Sequence, residues 1–300
     1  MKRVIVTGAA GFIAPHIIER CLQMNWQVIG LDVLDLKKEG LINHSNYTFY
    51  KKDVKDLIVD DLRSIDYIFH LAFVTNIPHS IKNPLSTTYD NVNMTCFLLK
   101  LATQAGIKKF LFPSTASLYG NNPVPWQENM PADPAEPYSW QKLCCEHACK
   151  MWHKCYNLPT IIFRFFQVFG ENQRKDTALA AFLRSKEDGQ PITLTETTAQ
   201  SSFRTAQRDF IYVKDLAEAV VRAAESKKTG HGEIINIGSG KITAMEDIAK
   251  AIGGKIVFIP KRSFETETHQ ADISLAKKLL NWTPKTDVLS WLKNYVKKNK

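Results

Sequence analysis

Short β-branched and aromatic runs alternate along the chain with stretches of helical period. Val4–Val6, Gln27–Leu31 and Tyr67–Ala72 are apolar runs, and Phe12–Met24 between the first two has the spacing of an amphipathic helix. Leu85–Gln104 then predicts a helix, Lys109–Phe112 a strand, Glu136–Trp152 a helix and Thr160–Phe163 a strand. Continuous apolar runs suit strands buried on both faces, and strand–helix repetition predicts a parallel sheet covered by helices on both sides. The expected class is α/β, a doubly wound parallel sheet of the Rossmann type with a smaller C-terminal α/β substrate domain. After Gly170 the pattern loosens, and the polar stretch Thr195–Arg204 predicts a loop or hairpin. The expected division is a first domain over 1–170, joined by strand and helix returns near 208–240, and a substrate domain mainly over 171–300.

Composition narrows the class. A chain of 300 residues with 44% apolar residues is long and apolar enough for a large core, which excludes disordered and mini-protein classes. No apolar stretch nears the roughly 18 residues of a membrane span, so no bilayer crossing is expected. Lys2 and Arg3 before an apolar run imitate a secretion signal, but Thr7, Gly8 and Gly11 interrupt it, and the fold is expected to start at residue 1. The six cysteines (Cys21, Cys96, Cys144, Cys145, Cys149 and Cys155) fall in predicted strands and helices, which suits a reducing, cytoplasmic setting. The net charge of +9 comes largely from scattered lysines and the tail Lys297–Lys300, a solvated surface; nucleic acid is not the expected partner.

The chemistry starts right after the first strand. Gly8-Ala9-Ala10-Gly11-Phe12-Ile13-Ala14 opens a helix, where glycine permits a tight turn and backbone N–H groups can approach a pyrophosphate at the positive helix end. Pro15 falls in the first turn, where a missing N–H costs little. The second strand ends at Asp32, whose carboxylate can accept from an adenosine ribose and repels a 2′-phosphate, favouring NAD over NADP. Tyr138 and Lys142 stand one helical turn apart, so an ammonium beside the phenol is expected to lower its pKa for proton abstraction from an alcohol. Upstream, Pro113-Ser114-Thr115-Ala116-Ser117-Leu118-Tyr119-Gly120 follows a strand, at the edge where open α/β sheets bind ligands.

These residues occur in the order seen in extended short-chain dehydrogenases/reductases. The chain resembles their nucleotide-sugar epimerase/dehydratase group through Thr7-Gly8-x-x-Gly11, Asp32, Asp53-Val54, His70-Leu71-Ala72, Asn91-Val92 and Ser114–Gly120. Tyr138-x-x-x-Lys142, Arg164-Phe165-Phe166, Arg208–Asp215, Asn236–Gly240 and Ala271–Ser274 extend the likeness to nearly the whole chain. The resemblance implies NAD bound by Gly8, Gly11, Phe12, Ile13, Asp32, Asp53, Val54, Leu71, Ala72, Asn91, Tyr138 and Lys142. It implies that Tyr138 takes the sugar hydroxyl proton, that Thr115 bonds the reacting oxygen, and that Lys142 holds the nicotinamide ribose. Phe73, Ser117, Gln167 and Arg208 are the implied substrate contacts, with Arg208 on the diphosphate, where a guanidinium suits phosphate oxygens.

The same resemblance discriminates among reactions. Similar dehydratases carry acidic residues after the threonine, because eliminating water needs a base and an acid; here Ala116 and Ser117 stand there. The implied activity is NAD-dependent epimerisation of a nucleotide-diphosphate sugar, at C4 through a transient 4-keto sugar. The alternatives are a keto-sugar reductase with the same three residues, or a non-enzymatic NAD-sensing or RNA-associated relative. Gln167 replaces the family asparagine, Gln141 the serine before Lys142, Ala14 the third glycine and Met94 another glycine, while Phe73 and Val74 are bulkier than usual and narrow the sugar pocket. Cys144, Cys145, His147, Cys149 and His153 crowd one helix, yet no second cluster completes a site, and no metal is expected. Related helices pack between subunits, so a homodimer is expected.

Overall fold

The computed structural model describes residues 1–36, 43–175, 177–260 and 266–298; tail residues Asn299 and Lys300 lie outside them. Its strands are β1 (Arg3–Thr7), β2 (Gln27–Asp32), β3 (Tyr47–Lys51), β4 (Tyr67–His70), β5 (Lys109–Thr115) and β6 (Thr160–Phe165). They continue with β7 (Gln167–Phe169), β8 (Ile192–Thr195), β9 (Gln207–Tyr212), β10 (Glu233–Ile237), β11 (Ile242–Ala244) and β12 (Ile256–Ile259). Seven form one parallel sheet in the order β10-β6-β5-β4-β1-β2-β3. The order reverses at β1, which lies between β2 and β4, and this reversal opens a crevice at the carboxyl ends of the strands.

Each face of the sheet has its own core, which explains the continuous apolar runs. Every residue of β6 is buried. On one face Val4, Val6, Phe69, Ile161 and Phe163 meet helices Ala14–Gln23 and Val213–Glu225 through Ile17, Ile18, Leu216 and Val220. On the other, Ile5, Ile68, Phe110 and Phe112 meet helices Met94–Ala105 and Pro137–Tyr156 through Leu98, Ala102, Cys145 and Cys149. The doubly wound α/β expectation therefore holds, with helix ends where local chemistry puts them. Pro15 sits in the first turn of its helix. Glu136 caps the helix of Tyr138, its carboxylate accepting from the Tyr138 and Ser139 N–H groups at 2.7 and 3.0 Å.

Three boundaries differ from the sequence reading. The expected helix Leu85–Gln104 consists of Pro84–Thr88, one π-helical turn Tyr89–Asn93, and Met94–Ala105, so the extra residue turns Asn91 into the interior. The strand expected over Tyr67–Ala72 stops at His70, because the Ala72 N–H leaves the ladder and donates to Thr7 Oγ1 at 3.0 Å. β5 runs on past Phe112 through Pro113 to Thr115. Beyond the sheet, β11-β9-β7 and β12-β8 make two small sheets over a core of Phe169, Leu179, Phe182, Leu194, Phe210, Ile248 and Trp291. Thr195–Arg204 contributes a hairpin, with Thr197 N–H donating to the Arg204 carbonyl at 3.0 Å and Glu196 bridging Thr205.

Candidate active site

A cavity of about 980 Å3 opens at the carboxyl ends of β1, β2, β4 and β5. Gly8, Gly11, Phe12, Ile13, Asp32, Asp53, Val54, Leu71, Ala72, Phe73, Thr115, Tyr138, Lys142 and Gln167 all line it. Gly8 has φ +69°, and a Cβ there would lie 2.8 Å from both Ala72 N and the Leu71 carbonyl carbon, so only glycine lets this turn press against the end of β4. Asp32 closes the other side, its two carboxylate oxygens accepting from Ala10 and Leu34 N–H, each at 2.9 Å. Asp53 stands beyond it as the cap of a short turn, accepting from Lys55 N–H at 2.9 Å. A glycine cradle with no room for side chains, a helix N-terminus behind it and an oriented carboxylate at the end of β2 fit a dinucleotide.

The wall at β4 is fixed by a hydrogen-bonded chain through His70. Thr95 Oγ1 donates to the Asn91 carbonyl at 2.7 Å, so it can only accept from His70 Nε2 at 3.1 Å. His70 Nδ1 is then the acceptor for Thr7 Oγ1 at 2.9 Å. Burial pushes this histidine down to about 3, with Lys142 acting in the same direction, so it stays neutral and structural. Asn91 stands behind the cavity wall: its Oδ1 accepts from Val74 N–H at 2.7 Å, and its Nδ2 donates to the Val74 carbonyl at 3.1 Å and to Gln141 Oε1 at 2.7 Å.

Tyr138, Lys142 and Thr115 converge where the helix Pro137–Tyr156 crosses the end of β5. The strand geometry decides what Lys142 touches. Lys109 N–H points toward β4 and Phe110 N–H toward β6, so by alternation Pro113 faces the β4 side. Pairing with β4 has already ended at Leu111, so neither the absent proline N–H nor its free carbonyl disturbs the ladder. That carbonyl accepts from Lys142 Nζ at 2.6 Å. Burial pushes the amine down to about 7, against the fields of Cys145, Glu146 and Cys149. Next to it, Glu146 and Arg164 form a buried bidentate pair at 3.0 and 2.9 Å, and Ser114 Oγ donates to the same carboxylate at 2.5 Å.

The phenol departs from the sequence expectation. Tyr138 lies above its ordinary value, at about 12, because burial outweighs its hydrogen bond with Thr115; Glu136 adds to the rise and Arg174 opposes it. The ammonium expected to lower it is turned instead to Pro113 and to the Phe73 ring. Two implied substrate residues stand off the cavity wall. Ser117 lies behind Thr115, their hydroxyls 3.0 Å apart. Arg208, on β9, donates from Nη1 to the Gln207 and Glu267 carbonyls at 2.9 and 3.1 Å. Neighbouring Asp209 is held by Ser239, Gly240 and Ala271, and Asp215 by Lys285 and Thr286 N–H. Sequence reasoning missed Arg174, which lines the cavity and bonds Thr75 Oγ1; it lies in an aperiodic segment that gave no signal. Among the described residues no cluster of three or more His, Cys, Asp or Glu side chains could hold a metal ion.

A parallel sheet with this cradle and this tyrosine–lysine pair defines a nucleotide-dependent dehydrogenase-type fold. Residues 4–238 match the NAD dependent epimerase/dehydratase family, and the chain belongs to it. An uncharacterised UDP-glucose epimerase of Bacillus subtilis is 32% identical, over 98% of this chain and 96% of that protein. UDP-N-acetylglucosamine 4-epimerase from Methanobrevibacter ruminantium, solved with UDP-N-acetylmuramic acid, superimposes with a TM-score of 0.89 at 30% identity, covering 99% of this chain and 97% of that one. UDP-glucuronic acid 4-epimerase from Bacillus cereus, solved with UDP-glucuronic acid and NAD, gives 0.88 at 28% identity over 99% of this chain and 100% of that one.

Proposed function

We propose that this protein is an NAD-dependent 4-epimerase of a nucleotide-diphosphate sugar, with a UDP-sugar as the substrate class. One observation carries the choice over dehydration. Thr115, Tyr138 and Lys142 meet at the end of β5, whereas the carboxylates among the described cavity residues are Asp32, Asp53 and Asp90, toward β2 and β3. A site with no cavity carboxylate beside the phenol can oxidise and reduce an alcohol but lacks the acidic pair on which loss of water draws.

Bound NAD supplies the redox capacity, reversibly taking up and returning the hydrogen and electron pair of one carbon–hydrogen bond. Gly8, Gly11, Asp32 and Asp53 are the residues that would hold it. Tyr138 Oη takes the hydroxyl proton of the sugar as that bond breaks and gives the same proton back when it re-forms, so no proton is lost to solvent. Because burial holds the phenol near 12, Tyr138 is protonated in the ligand-free protein, and its activation needs positive charge brought close on binding. Thr115 Oγ1, on the same cavity wall as the phenol, orients the reacting oxygen. Aromatic walls at Phe73, Phe165 and Phe166 keep water away while the keto sugar turns its other face.

In this reading residues 171–300, apart from helix Val213–Glu225 and β10, which return to the large sheet, form the substrate domain, with Gln167 on the cavity wall and Arg208 beyond it assigned to the nucleotide diphosphate of the sugar. The homodimer reading is supported by apolar side chains left exposed on adjacent helices: Ile81, Leu85 at 86%, Tyr89, Trp140 at 48% and Met151. Six unpaired cysteines favour a reducing, cytoplasmic setting, and among the described residues no helix is long and apolar enough to cross a membrane. The deciding experiment incubates purified protein with UDP-glucose, UDP-N-acetylglucosamine and UDP-glucuronic acid and follows the C4 proton signals by NMR. Interconversion that disappears in Tyr138→Phe supports the reading. Net consumption of NADPH with a keto-sugar, and no interconversion, replaces it with a reductase.

A further inference from the structure

Lys142 is a buried amine, 3% exposed, with three N–H groups to satisfy. One goes to the Pro113 carbonyl. The nearest carboxylate along its helix, Glu146, already accepts from Ser114 and twice from Arg164. The other close partners of Lys142 are two aromatic faces: Nζ lies 3.5 Å from the Phe73 ring centroid and 4.7 Å from that of Phe112. A ring quadrupole attracts a cation most strongly where water is excluded. Phe112 is a fully buried strand residue, whereas Phe73 lies on the loop after β4, half-buried, at the cavity wall and edge-on to Tyr138 with centroids 6.0 Å apart.

That loop is clamped. Val74 exchanges two hydrogen bonds with Asn91, and Asn91 Nδ2 donates to Gln141, the residue before Lys142. Gln141 Nε2 in turn donates to Thr87 and Thr88 at 2.9 and 3.0 Å. Ring and ammonium are thus tied into one frame through side chains that do not themselves reach the reacting atoms.

We propose that Phe73 is a positioning residue for Lys142: its ring face and the Pro113 carbonyl together hold the ammonium at the mouth of the cofactor cradle, and the Asn91–Gln141 relay keeps the two in register. The titratable groups that face Lys142 are Cys145, Glu146 and Cys149 on its own helix and His70 from β4. The proposal leans on the epimerase reading only for its rate measurement.

The test uses the full chain with Phe73→Leu, which keeps apolar volume and loses the ring, Phe73→Met as a second ring-free variant, and Phe73→Tyr, which keeps the ring. Titration of NAD-free, 13Cε-lysine-labelled protein by NMR should show the Lys142 midpoint about one pH unit lower in the ring-free variants. The NAD dissociation constant, read by tryptophan fluorescence, should rise about tenfold, and kcat should fall about tenfold with the sugar KM within twofold. Phe73→Tyr should restore all three. An unmoved midpoint and NAD affinity in both ring-free variants overturns the proposal, as does a tyrosine variant as impaired as leucine. If the unmodified protein turns over no nucleotide sugar, the epimerase reading fails, and the midpoint and NAD affinity still decide Phe73.

Discussion

Two glycines share the same positive φ and differ in what surrounds them, which makes a controlled perturbation. Gly8 and Gly106 both have φ +69°; a Cβ on Gly106, at the end of helix Met94–Ala105, meets nothing within 4 Å, while one on Gly8 meets Ala72 N and the Leu71 carbonyl carbon at 2.8 Å and Ala72 Cα at 3.0 Å. Alanine in the left-handed region costs about 1 kcal/mol at either place. The entropy that alanine removes from the unfolded chain is common to both and cancels. Gly8→Ala adds overlap with backbone atoms that cannot rotate away, a further cost of about 2 kcal/mol. Urea unfolding should therefore place Gly8→Ala about 2 kcal/mol below Gly106→Ala. NAD titration adds a second reading: affinity should fall more than tenfold in Gly8→Ala and stay unchanged in Gly106→Ala. Equal destabilisation in the two variants, with equal NAD affinity, would show that the approach of β1 to β4 is not what requires glycine.

Tyr138→Phe should lower turnover about a thousandfold while leaving NAD affinity within threefold, measured by NMR progress curves and fluorescence. Arg208→Ala should raise the substrate KM about tenfold with kcat nearly unchanged; an unchanged KM removes Arg208 from the diphosphate. Asp32→Asn should narrow the preference for NAD over NADP, read as the ratio of their dissociation constants. Burial holds Lys142 near 7 in the folded protein, against 10.5 ordinarily, so between those values the unfolded chain binds one proton more at this residue and stability rises with pH. Lys142→Met should remove that rise, and a urea midpoint whose pH slope is unaltered would refute the depressed amine.

The sheet and cradle were legible because their signals are local and periodic. Val4–Val6, the Gly8–Gly11 turn and Asp32 each sit within one strand–helix unit, and the structure puts them side by side at the cavity. Tyr138 and Lys142 were legible as neighbours by helical spacing, but the direction of the phenol's shift was not. Spacing carries no information on burial, and burial governs both groups. The partner of Lys142 is a backbone carbonyl freed by the early end of β4, which no side-chain pattern encodes. The π-helical turn at Tyr89–Asn93 was hidden for a related reason: one inserted residue barely alters the apolar period of Leu85–Gln104 yet decides that Asn91 points inward. Arg174 and the carbonyl partners of Arg208 lie where tertiary packing alone sets the contacts.

The order of packing along the chain bears on how the protein is made. The seventh strand of the large sheet, β10, arrives at Glu233–Ile237, after the excursion that builds the small sheets. The core around Phe169 and Phe210 is closed by Val288, Trp291 and Leu292 of the last helix, Val288–Lys298. On a translating ribosome helix Ala14–Gln23 waits for its partner Val213–Glu225, and the layer seeded by Phe169 must stay open longer still, for well over a hundred residues of elongation. Nascent chains stalled before Trp291 should therefore expose that apolar layer to chaperones, and early termination there should yield a nucleotide-binding but aggregation-prone product.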